Sequence, residues 1–160
     1  MLLPDGERAS DGTAEPIGGL LVCGRQQAAH PERRSEEPCE NARDGARERR
    51  EAGESPIIKA ALKDDLPVLC IGRGMHALNL AMGGGLADDI SGHATVEQEG
   101  EALSSYHRIF IAPGSKLAAV VGSGGFVRVN SRHRRGVRHA QKSSLLMASA
   151  YSVEDDVIEA

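Results

Sequence analysis

The chain has 160 residues with a formal net charge of -4, 40% hydrophobic residues and only 2% aromatic ones, so it suits one domain whose core is built from Ala, Val, Ile and Leu. Its three cysteines, Cys23, Cys39 and Cys70, show no paired spacing and follow no secretory apolar segment, which argues against a disulfide framework and for a reducing, cytoplasmic setting. Mild acidity speaks against a dedicated nucleic-acid binder, and no apolar run approaches the roughly 20 residues a bilayer span needs.

In chain order, Met1 to Pro16 is loop chemistry rich in Gly, Asp and Ser. Ile17 to Cys23 (IGGLLVC) is an apolar run closed by Gly24, the pattern of a buried strand. Residues 25–54 are dense in Arg and Glu with almost no apolar periodicity, which predicts a solvated loop and an exposed helix within the single domain 1–160. Pro56 to Lys63 reads as a helix, since proline is tolerated in a first turn. Leu66 to Ile71 (LPVLCI) is a buried strand, Gly72-Arg73-Gly74 a tight turn, and Met75 to Met82 a helix with Met75, Leu78 and Met82 in helical spacing, ended by Gly83 to Gly85. His107 to Ala112 is a strand entering the Pro113-Gly114 turn, Lys116 to Val121 a short helical or 3₁₀ piece, and Phe126 to Val129 a strand. Leu145 to Tyr151 and Val157 to Glu159 read as two short strands around the turn Glu154-Asp155-Asp156. Alternating strands and helices followed by strands predict an α/β sheet with an antiparallel extension.

A strand that stops in a tight turn and hands over to a helix puts the turn residue at a helix N-terminus, where a thiolate and a developing oxyanion are favoured. The stretch PVLCIGRGMHALNLAMGGGL, Pro67 to Leu86, closely resembles the nucleophile segment of class I glutamine amidotransferase-like hydrolases, in particular the gamma-glutamyl-gamma-aminobutyrate hydrolase branch, whose usual form is PVLGICRGMQxLNVALGGTL. IGGLLVCG resembles the family's LDGLLLPGG strand, SEEP at Ser35 to Pro38 its YGEEP loop, and PIIKAALKDDLPVL its helix entering the nucleophile strand. HRIFIAPGSKLAAVVG, FVRVNSRH and ASAYSVEDDVIEA resemble its HxVxIxPGSxLAxILG, VRVNSxH and SAxAPDGVIEA segments. The resemblance implies a flavodoxin-like three-layer α/β sandwich and hydrolysis of a gamma-glutamyl amide of a small molecule through a cysteine thioester, with no cofactor.

In the register of that resemblance the family's catalytic Cys falls on Gly72, and Cys70 takes the place of the preceding family Gly. Two residues along a strand is about 6.6 Å, so Cys70 is expected inside the sheet as a small buried hydrophobe. The family's oxyanion loop PGG is here Cys23-Gly24-Arg25, which keeps Gly24; Arg73 would offer its backbone N–H as the second donor. Asn130, Ser131 and His133 match the substrate side of the family pocket, while the neighbouring family His and Gln are Arg134 and Arg135. The sequence stops at Ala160, before the position of the family's GVQWHPE base segment, and MLLP at its start resembles the family's PVLLP. The expectation is therefore a domain incomplete at both ends, prone to association with itself or another chain, and a catalytically inactive member.

Two alternatives stay open. An active gamma-glutamyl amide hydrolase would use the displaced Cys70. A noncatalytic anion or RNA binder would use Arg128, Arg132, Arg134, Arg135, Arg138 and Lys142, although no aromatic residues interleave them for base stacking. His76, His93 and His107 have no HxH, HExxH or CxxC spacing, so no metal is expected.

Overall fold

A computed structural model describes residues 18–24, 53–98 and 101–160. The MLLP start, the SEEP segment and most of the charged stretch 25–54 lie outside the described residues. The first unit is strand–helix–strand–helix. β1 (Leu20–Cys23) pairs in parallel with β2 (Val68–Ile71), Leu20 opposite Val68 and Cys23 opposite Ile71. Between them runs α1, helical across 53–63 with Pro56 inside it, and after them α2 (Arg73–Ala81). Alternation along the two strands turns Val22 and Cys70 toward Ile58 of α1 and Ala77 and Ala81 of α2, which form one apolar core. Leu21, Leu69 and Ile71 lie on the other face and are more than half exposed.

The second unit is antiparallel. β3 (Val96–Gln98) and β4 (Glu101–Leu103) form a hairpin, and β5 (Ser105–Ile111) lies between β6 (Gly125–Ser131) and β7 (Ala150–Ser152). α3 (Lys116–Val121) connects β5 to β6 and is bounded by clear caps. Ser115 Oγ accepts from Ala118 N at 3.1 Å, and Gly122 closes the helix in the left-handed region at φ 79°. The inward residues of β5 are His107, Ile109 and Ile111, and the two isoleucines with Ala150 make a second apolar core.

The architecture is mixed α/β with an antiparallel extension, as the sequence predicts, and three elements differ. The β3–β4 hairpin has no counterpart in the sequence expectation. Of Leu145 to Tyr151 only the end is a strand; Lys142 Nζ instead donates to the carbonyls of Ser143 (2.9 Å) and Leu146 (2.6 Å), holding that segment in a turn. Val157 to Glu159 is not a strand: Ile158 makes single bridges to Val137 and Tyr151, and Glu159 N donates to Ala150 O at 2.9 Å.

A buried asparagine fastens the two units together. Asn79 Nδ2 donates to Gly85 O (2.7 Å) and Gln141 O (3.0 Å), and Asn79 Oδ1 accepts from Ser143 N (2.8 Å). Asn79→Ala removes all three and strands the Gly85 carbonyl and the Ser143 N–H, while Gln141 O keeps its bond from Gly85 N (2.7 Å), an expected loss of about 3 kcal/mol. Urea unfolding checks this, and a change under about 1 kcal/mol would show that water replaces the amide.

Candidate functional site

The turn after β2 has the backbone of a nucleophile elbow. Gly72 sits at φ 57°, ψ -117° as the N-cap of α2, a conformation costly for any residue with a Cβ. A Cβ built on Gly72 meets nothing within 4 Å, so the position opens into free space. Its neighbours are the reverse. A Cβ on Gly74 would lie 2.0 Å from Val22 O, and one on Gly24 would lie 2.3 Å from the Cβ of Arg73. These two glycines allow the first turn of α2 to rest directly on β1.

Arg73 is the first residue of α2, and its guanidinium forks onto the Glu54 carboxylate of α1, Nη1 to Oε2 at 2.8 Å and Nη2 to Oε1. Gly24 lies against Arg73. Cys70 lies two residues before the elbow, opposite Val22 and against the first core. Burial raises its thiol above the ordinary value, and the nearby Glu54 carboxylate adds to the effect.

The second element of the site is a group of imidazoles around one carboxylate. The segment 87–93 runs beside 133–136 through Ala87 N to Gly136 O (2.8 Å), Ile90 N to Arg134 O (2.6 Å) and His133 N to His93 O (2.9 Å). This brings His93 against His133, with ring centroids 4.9 Å apart, while inward-facing His107 of β5 packs on the other side of His93 at 4.3 Å. The C-terminal segment, held by β7 and Val137, carries Glu159 into the middle. Glu159 Oε1 lies 3.1 Å from His93 Nδ1, 3.7 Å from His133 Nε2 and 3.8 Å from His107 Nε2. Ser131 Oγ of β6 is 2.8 Å from His107 Nε2, and Asp155 is 3.2 Å from His93 Nε2.

The electrostatics follow from this crowding. The Glu159 carboxylate beside His133 raises that imidazole, against the opposing effect of burial. Burial pushes Glu159 up, but the imidazoles around it, His133 first, hold its carboxyl below the usual range. His76, in the first turns of α2, is pushed down to about 4 by burial and then by the positive charge of His133, Arg135 and Arg73. That coupling places the elbow helix within electrostatic reach of the histidine group.

Of the residues the sequence points to, Ser131 and His133 join this group, while Asn130 is exposed on the opposite face of β6, across from Tyr106. Most of the basic stretch is engaged within the chain. Arg128 stacks over Tyr106, Arg132 Nε donates to Ser104 Oγ at 2.6 Å, Arg135 pairs with Asp88, and Arg138 reaches Asp155. His93, His107 and Glu159 were not singled out together by sequence, because they are distant in the chain and match no short motif; the structure makes them a candidate ligand set.

The chain is similar to two curated proteins. It is 31% identical over 125 residues to "Putative glutamine amidotransferase PB2B2.05" of Schizosaccharomyces pombe, covering 76% of this chain and 48% of that one. It is 34% identical over 122 residues to "Putative glutamine amidotransferase Rv2859c" of Mycobacterium tuberculosis, covering 74% of this chain and 38% of that one. The chain thus spans about half the length, or less, of these relatives. No helix among the described residues is long and apolar enough to cross a membrane. The sequence pattern of the peptidase C26 family matches residues 1–160, and with the mixed α/β fold and the strand–elbow–helix unit in place, the chain belongs to that class I glutamine amidotransferase-like family.

Proposed function

We propose that this chain is a noncatalytic glutamine amidotransferase-like domain, a pseudoenzyme that keeps the elbow and pocket walls of a gamma-glutamyl hydrolase without the nucleophile. The gamma-glutamyl-gamma-aminobutyrate type of compound is the small-molecule class it would have descended to bind. One observation carries the reading: the residue held at φ 57°, ψ -117° at the head of α2 is glycine, so no side chain projects from the point the elbow presents. Cys70 is a poor substitute, because its thiol is in the strand against the core and burial keeps it protonated.

Labelling of the purified chain with 6-diazo-5-oxo-norleucine, read by peptide mass spectrometry, tests this. The expected result is no adduct on Cys70, in a sample whose circular dichroism shows it folded. Iodoacetamide modification of exposed Cys23 serves as the positive control for thiol chemistry. A glutamine-analogue adduct on Cys70 would overturn the proposal and assign an active enzyme with a displaced nucleophile.

A further inference from the structure

We propose that His93, His107, His133 and Glu159 form a site for one Zn2+ ion that fastens the C-terminal segment to the antiparallel sheet. Ligand atoms of His93, His107 and Glu159 lie within 4.8 Å of one another. Around Glu159 Oε1 the three imidazole nitrogens stand at 3.1, 3.7 and 3.8 Å. In a tetrahedral zinc site with bonds of 2.0–2.1 Å the ligand-to-ligand edge is about 3.4 Å. The three edges at Glu159 lie within about half an ångström of that value, and the imidazoles, with ligand atoms of His93, His107 and Glu159 spread over as much as 4.8 Å, close by roughly 1.4 Å on binding.

The unpaired atoms point the same way. His93 Nδ1 and Glu159 Oε1 are both buried and neither has a hydrogen-bond partner; at 3.1 Å from each other they are close enough but out of line. Buried polar atoms without partners are rare, and a cation between these two would satisfy both.

The outer contacts set the inner lone pairs. His93 turns Nε2 to the Asp155 carboxylate, at 3.2 and 3.3 Å from its two oxygens, and His133 turns Nδ1 to the backbone carbonyl of Arg135 at 2.9 Å. With the outward nitrogen of each ring engaged, the inward one, Nδ1 of His93 and Nε2 of His133, is the nitrogen on which a metal ion would replace the proton. A carboxylate or carbonyl behind a histidine is the outer-shell arrangement of metal-bound imidazoles. His107 Nε2 is shared with Ser131 Oγ and is the ligand that turns to bind. Four protein ligands, with His93 and His107 buried, make a closed site of the structural kind.

The full chain, stripped with chelator and titrated with Co2+, reads the geometry directly. The expected result is one equivalent bound with the intense visible bands of tetrahedral Co2+, bleached by stoichiometric Zn2+, and a Tm raised by Zn2+. Glu159→Gln and His93→Asn should each weaken Zn2+ on the order of 100-fold, and Asp155→Asn, outside the ligand set, by roughly 10-fold to 100-fold. Circular dichroism of each variant separates lost binding from lost fold, and Asp155→Asn supplies the readout if a ligand variant does not fold. The proposal is overturned by folded wild-type chain that gives no tetrahedral spectrum. It is equally overturned by binding that Glu159→Gln and Asp155→Asn leave unchanged, which would mark an adventitious ion only. The site does not depend on whether the elbow is catalytic.

Discussion

Gly72→Cys should convert the elbow into the most reactive thiol of the chain. The new side chain enters free space at the N-terminus of α2, where N–H groups and the helix dipole favour a thiolate. Its cost is backbone strain, because φ 57°, ψ -117° is a glycine conformation; about 1–3 kcal/mol is expected, which is a Tm drop of roughly 2–12 °C for a domain of this size. Alkylation rates resolved by peptide mapping at several pH values check both parts. Residue 72 should react well before Cys70 and at lower pH. Reaction no faster than that of Cys70 would mean the turn lacks the electrostatics of a working elbow, and the loss of the nucleophile would then not be the main change in this chain. Labelling reads the elbow alone, so the result does not depend on turnover.

Gly74→Ala is expected to be among the most damaging single substitutions, although it adds only one methyl. Helix propensity alone favours alanine over glycine by about 1 kcal/mol. The added Cβ, however, would stand 2.0 Å from Val22 O and 2.7 Å from Val22 C, both backbone atoms of β1 that no rotamer change can move. Relief requires separating α2 from β1, which opens the core of Val22, Ile58, Ala77 and Ala81. The steric cost wins, with a net loss on the order of 3 kcal/mol or more and a Tm lower by roughly 6–12 °C. Thermal melts settle the sign: an unchanged or raised Tm would mean that the strand yields, and that the close contact is not what fixes the elbow.

The strand–elbow–helix unit was legible in sequence because its signals are local: an apolar run, glycines flanking one residue, then helical spacing from Met75. α3 was also legible, as the short piece Lys116 to Val121 after the Pro113-Gly114 turn, and its caps Ser115 and Gly122 emerge in the structure. The hairpin of β3 and β4 was not, because VEQEGEAL is mostly polar and offers no apolar alternation. The last segment misled for a different reason. Its backbone is held by single bonds, Ile158 N to Val137 O across 21 positions and Ser152 N to Val157 O within a local turn, without forming a ladder. The histidine group was illegible on principle. Its members at 93, 107, 133 and 159 meet only through the pairing of 87–93 with 133–136, the pleat of β5 and the return of the chain end, none of which leaves a short spacing to read.

The Asn79 hydrogen bonds also bear on the order of assembly. Two of them join residues 62 and 64 positions apart, whereas Ile58, Cys70, Ala77 and Ala81 of α1, β2 and α2 gather their part of the first core from residues no more than 23 positions apart. Closing so long a loop is paid for before the amide's own contacts form, so these bonds should be absent from the folding transition state. Asn79→Ala would then leave the refolding rate almost unchanged and speed unfolding roughly 100-fold, given its expected effect on stability. In stopped-flow urea experiments the unfolding arm should move and the refolding arm stay in place. On that order of events the asparagine acts as a latch set last, governing how long the folded chain persists rather than how quickly it forms.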